Sequence, residues 1–179
     1  MRVFIAIGFD ELRSYFVELQ EMLPKDNARL TLPKSFHLTL KFLGEIHEYQ
    51  LKGIIERLEK IKFKPFPVTL SKIGFFPFQK KSRVVWVRCY DNTRAISLQT
   101  TIEKSLQGMF PKDERFHPHI TICRVKYLRD KHAFLSSLLG LRPEQKTVEV
   151  NEFKLIKSTL TPQGPIYEEI AVFPKNQVA

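Results

Sequence analysis

The chain has 179 residues, 43% hydrophobic and 27% charged, the balance of a globular protein with one ordinary domain or two small lobes on a shared core. Its 29 Lys and Arg against 19 Asp and Glu leave a net charge of +10, spread along the chain, which favours a polyanion in a charged groove over a disordered basic arm. The longest apolar runs fall far short of the ~20 residues of a membrane helix, Asp10-Glu11 stands where a signal-peptide cleavage site would be, and Cys89 and Cys123 lack metal or redox spacing, so a cytoplasmic protein with reduced cysteines is expected.

In chain order, residues 2–8 read as a buried strand, and Asp10 as the N-cap of a helix to 23 with Leu12, Tyr15, Phe16, Leu19, Met22 and Leu23 on one face. A loop over 24–33 precedes a strand at 36–43 that Gly44 closes. A helix over 49–61 follows, then strands at 66–75 and 83–90 joined by a basic loop at 77–81. The next helix spans 93–109, capped by Asp91 or Asn92, and leads to a strand at 119–125. A short helix over 130–139 stops at Gly140, suited to a left-handed cap, and strands at 147–157 and 167–173 end the pattern. The order β-α-β-α-β-β then α-β-α-β-β suggests a duplication with pseudo-repeat halves 1–91 and 92–179 in one bilobal domain over 1–179. The expected class is α+β: two pseudo-symmetric lobes, each an antiparallel or mixed sheet with helices outside, and a cleft between them.

The informative feature is a repeat of four residues, His37-Leu38-Thr39-Leu40 and His119-Ile120-Thr121-Ile122. Each lies in an alternating extended run, so each His and its Thr leave one side of a strand while the apolar residues enter the core. Strict alternation adds Lys41 to the His37 face and Phe42 to the core, and adds Cys123 to the His119 face. Two opposed imidazoles can put one proton on and take another off, and a Thr hydroxyl beside each can donate to a phosphate oxygen. A His-Thr pair repeated in both halves favours one shared site over two ordinary polar sheet faces. Arg124 falls by alternation on the core face, where an unpaired guanidinium is costly, so either the strand ends or bulges there or Arg124 is paired. Lys41 and Arg115 are candidate substrate contacts, and His47 and His132, without a matching Thr, are read as surface or structural.

The two motifs resemble those of the 2H phosphoesterase superfamily. Segments 35–45 (SFHLTLKFLGE), 82–87 (SRVVWV) and 116–124 (FHPHITICR), with the opening 3–7 (VFIAI), are similar to the LigT-like RNA 2',3'-cyclic phosphodiesterases, also called 2'-5' RNA ligases. The resemblance covers nearly the whole chain except the basic loop and the C-terminal tail. It implies hydrolysis of RNA 2',3'-cyclic phosphate ends to 2'-phosphomonoesters without metal or other cofactor, His119 as proton acceptor from water and His37 as proton donor to the departing 3'-oxygen. It also implies Thr39 and Thr121 on the non-bridging oxygens, Arg124 on phosphate through a strand irregularity, and an RNA partner for a monomer.

Three other readings stay open. His117 and His119 have a spacing that can hold a transition metal with His37, which would make a metal-dependent hydrolase. Positive charge alone would suit a non-catalytic RNA-binding module. The same two imidazoles run backwards would ligate a cyclic end to a 5'-hydroxyl.

Overall fold

The computed structural model describes residues 1–26, 28–76, 83–90 and 92–174; the loop expected at 77–81 and the candidate cap Asp91 lie outside them. Among the described residues, the β-branched and aromatic runs form nine strands: β1 (Arg2–Gly8), β2 (Ala28–Thr31), β3 (His37–Glu45), β4 (Phe66–Phe75), β5 (Val84–Tyr90), β6 (His119–Leu128), β7 (Lys146–Val150), β8 (Phe153–Thr161) and β9 (Gly164–Phe173). Four helices, α1 (Arg13–Glu21), α2 (Glu48–Leu58), α3 (Thr93–Ser105) and α4 (Lys131–Gly140), complete an α+β fold.

The strands join in one curled antiparallel sheet in the order β7-β4-β5-β6-β3-β1-β8-β9, with β2 also on β6. This order is palindromic about the β6–β3 contact: β5 stands to β6 as β1 stands to β3, and β4 as β8. In the topological repeat β5 is therefore the counterpart of β1. Each half of the sheet takes strands from both halves of the chain, because β4 pairs with β5 and β8 with β1.

All four helices cover the same face. Phe16 and Leu19 of α1, Ile54 and Leu58 of α2, Ala95 and Ile102 of α3, and Phe134 and Leu138 of α4 share one buried cluster with Leu38, Leu40, Ile120 and Ile122. Such burial is the main stabilising term of the fold, and it leaves the other, concave face of the sheet to polar groups.

Local chemistry shifts several boundaries. A 3-10 turn over Asp10–Leu12 precedes α1, whose N-cap is Leu12, so Asp10 is not the cap. Asp130 does cap α4, accepting from the Ala133 N–H at 2.9 Å, whereas Gly140 lies inside the helix and Leu141 ends it. The loop expected at 24–33 contains β2, and the strand expected at 147–157 is split into β7 and β8. Cys89 and Cys123 are free thiols buried in the core, and burial pushes both up to about 12. Among the described residues no helix is long and apolar enough to cross a membrane.

Two β-bulges decide which side chains reach the concave face. Ile5 and Ala6 pair with Lys41 and Thr39, so Leu40 is an extra residue in β3; Val85 and Trp86 pair with Cys123 and Thr121, so Ile122 is extra in β6. An extra residue reverses the alternation beyond it. Lys41 and Cys123 therefore turn into the core, while Phe42 and Arg124 emerge beside the motifs. The expected positions of Lys41, Phe42 and Cys123 are corrected, and for Arg124 the bulged alternative holds.

Candidate active site

β3 and β6 touch at Leu38 and Ile120, an antiparallel pair of core residues. Antiparallel register around that pair sets His37 across from Thr121 and Thr39 across from His119, and all four side chains leave the sheet opposite the helices. Each of the four is partly buried. Among the described residues neither threonine hydroxyl has a hydrogen-bond partner, so both can donate to a bound oxyanion.

The imidazoles are held differently. Nδ1 of His119 lies 2.6 Å from the main-chain carbonyl oxygen of His117. A carbonyl only accepts, so Nδ1 carries the proton and donates, which leaves Nε2 of the neutral ring as a proton acceptor. The ring is walled by Phe76, edge-on at 4.8 Å, and by Trp86 at 6.3 Å. His37 is wedged between Phe4 at 5.0 Å and Tyr167 at 5.3 Å and has no hydrogen-bond partner among the described residues.

Burial lowers both imidazoles, because an apolar wall disfavours the charged ring. For His37, burial together with the Arg124 guanidinium and, more weakly, His119 outweighs the raising influence of Asp10 and brings it down to about 4. His119 is lowered by burial, by His117 and by Arg124, against the raising effect of its hydrogen bond to the His117 carbonyl. Arg124 thus acts on both rings, and His119 acts on His37: they belong to one electrostatic unit.

Of the other sequence candidates, Arg115 is exposed in the segment leading to β6. Lys41 is 2% exposed, its Nζ donating to both Glu103 oxygens at 2.9 and 3.0 Å and to the Pro111 carbonyl at 2.9 Å. An ammonium so enclosed has nothing to offer a substrate, and its part is in the core. His47 is exposed and stacks on Tyr49, and His132 is exposed, as read from sequence. His117 is exposed too, and among the described residues no three of His, Cys, Asp and Glu gather as a metal ligand set.

Sequence reasoning missed the aromatic walls. Phe4 and Tyr167 come from β1 and β9, neither of which carries a motif, and Trp86 stood in a family-like segment with no role assigned. A signal for Trp86 existed in Gly74: the two are cross-strand partners, and the indole lies where a Gly74 side chain would be. The indole Nε1 is buried with no acceptor among the described residues.

The family model described as LigT like Phosphoesterase matches residues 7–86 and 91–167. The chain belongs to the LigT-like phosphoesterase family. A relative from Methanocaldococcus jannaschii named RNA 2',3'-cyclic phosphodiesterase is 34% identical over 95% of this chain and 98% of its own. One of the same name from Thermotoga maritima is 37% identical over 94% and 92%. The structure of E. coli LigT complexed with 3'-AMP superposes with a TM-score of 0.79 at 25% identity, over 96% of both chains. This LigT-like phosphoesterase places one His-Thr motif on each side of the β6–β3 contact.

Proposed function

We propose that the protein is an RNA 2',3'-cyclic phosphodiesterase that opens the cyclic phosphate at an RNA end to a 2'-phosphomonoester. The observation that carries this is the convergence of His37, Thr39, His119 and Thr121 on one concave face around the Leu38–Ile120 pair. It is supported by the printed names of the relatives at 34% and 37% identity.

Nε2 of His119 takes a proton from water as the water attacks phosphorus. His37 delivers a proton to the 3'-oxygen as the P–O bond breaks. Thr39 and Thr121 donate to the non-bridging oxygens, where charge accumulates, and Arg124 offsets the remaining negative charge. Each proton transfer is worth roughly 10²–10⁴ in rate. The low pKa of His37 fits this sequence: the empty site keeps the ring neutral beside Arg124, and an arriving phosphodiester anion compensates Arg124 and favours the imidazolium. Arg115 is kept as a peripheral contact to RNA, and the protein is read as a cytoplasmic monomer acting as one bilobal unit.

The test is incubation of an oligoribonucleotide bearing a 2',3'-cyclic phosphate with the protein in excess chelator. A 2'-phosphate product is expected, and His37→Ala and His119→Ala should each abolish its formation while RNA affinity changes little. A 3'-phosphate product, a requirement for added metal, or near-normal turnover in either variant would overturn the mechanism.

A further inference from the structure

We propose that β5 carries a second subsite, in which Arg88 holds the first internucleotide phosphate upstream of the reacting end and Tyr90 flanks the nucleoside beyond it. The inference rests on the phosphodiesterase reading and specifies the substrate as an oligonucleotide rather than a mononucleotide.

Arg88 is the cross-strand partner of His119. Such partners project to the same face with Cβ atoms about 5 Å apart, so Arg88 stands one step from the proposed base. Its strand presents Trp86, Arg88 and Tyr90 to the concave face, while Val87 and Cys89 between them are fully buried. Arg88 is exposed and forms no ion pair or hydrogen bond among the described residues. Its guanidinium carbon lies 5.3 Å from the centroid of the Tyr90 ring. A guanidinium resting on a ring keeps its N–H edge free, the geometry suited to grip a phosphate.

Tyr90 also lines a hollow of about 760 Å³, together with Thr69, Ser71, Lys72, Arg142 and the α4-end residues Leu139 and Leu141. Its lining carries two cations and no carboxylate. The Ser71 Oγ is buried there with no partner among the described residues. A substrate whose 2'- and 3'-oxygens are both tied up in the cyclic phosphate leaves the cleft through its 5'-oxygen, so the next charge along the strand is the internucleotide phosphate. Arg88, across the ladder from His119 and without an ion pair among the described residues, is placed to receive it.

The experiment compares kcat/KM for a 2',3'-cyclic mononucleotide with that for the dinucleotide carrying the same cyclic end. A third substrate is that dinucleotide with a neutral methylphosphonate linkage. The wild type should favour the phosphate-linked dinucleotide over the mononucleotide by about tenfold or more, as a charge-assisted hydrogen bond implies. The advantage should vanish with the methylphosphonate, and Arg88→Gln should abolish it for the phosphate-linked dinucleotide without a further effect on the methylphosphonate. Retention of the preference in Arg88→Gln, or an equal loss on all three substrates, would overturn the subsite. A wild type active on all three with ratios near one would overturn the subsite alone, and one inert on all three would overturn the phosphodiesterase reading with it.

Discussion

Leu38 and Ile120 face each other where β3 meets β6, and the two halves of the site are arranged about that apolar pair. Each half has the same bulge one residue beyond its threonine, which makes Lys41 the counterpart of Cys123 and Phe42 the counterpart of Arg124. The duplication is therefore symmetric in backbone and asymmetric in charge. One side of the cleft presents an exposed phenyl ring, 65% accessible, and the other a guanidinium.

The first prediction concerns pH. The proposed mechanism requires His37 protonated and His119 neutral. His37 is lowered to about 4 and His119 is also lowered, so in the free protein both rings are neutral at pH 7 and the competent fraction grows as pH falls, until His119 itself protonates. The bell for kcat/KM should therefore peak on the acid side of ~6.5, the ordinary imidazole value. The kcat profile should lie to its alkaline side, because the bound anion raises His37. A kcat/KM optimum above neutrality would contradict the assignment.

Arg124→Gln removes a charge that depresses both rings. The kcat/KM optimum should move to higher pH while KM rises by roughly tenfold, the value of one charge-assisted hydrogen bond. An unchanged pH optimum would show that Arg124 has no hold on the imidazoles.

His37 also ties stability to acidity. Its folded-state pKa, about 4, lies below the unfolded value, so above ~6.5 neither state is protonated and the ring contributes nothing. Below that, the unfolded chain takes up the proton first, and stability falls between pH 6.5 and 4, by about 3 kcal/mol at most. Urea titrations should show this loss in the wild type and a shallower one in His37→Gln; parallel curves would remove the claim.

Lys41→Met should cost about 3–5 kcal/mol, because it strands a Glu103 side chain that is 8% accessible. Adding Glu103→Leu should recover most of that loss, and the folded double variant should keep the wild-type KM. A raised KM at restored stability would return Lys41 to the substrate.

Trp86 is the only tryptophan. A methyl at Gly74 would overlap its indole, so Gly74→Ala should shift the intrinsic fluorescence, lower stability by about 1–3 kcal/mol and slow turnover by displacing a wall of His119. An unchanged emission spectrum would show that the ring has other room.

The two His-Thr motifs, the strands that bear them and the α+β class were legible in the sequence, because alternation and helical spacing are local consequences of which side chains must leave water. The bulges were not. Whether Lys41 or Phe42 faces the core depends on how β1 pairs with β3, and that is settled between segments far apart in the chain. Lys41 turns inward because Glu103 of α3 and the Pro111 carbonyl wait there, and no pattern around residue 41 reports on them. The same holds for Tyr167 and Phe4, which flank His37 only because β1 and β9 converge on it. Side-chain chemistry along the strand named the candidate groups. Pairing between distant strands chose their neighbours, and through burial and the charge of Arg124 it set their proton affinities.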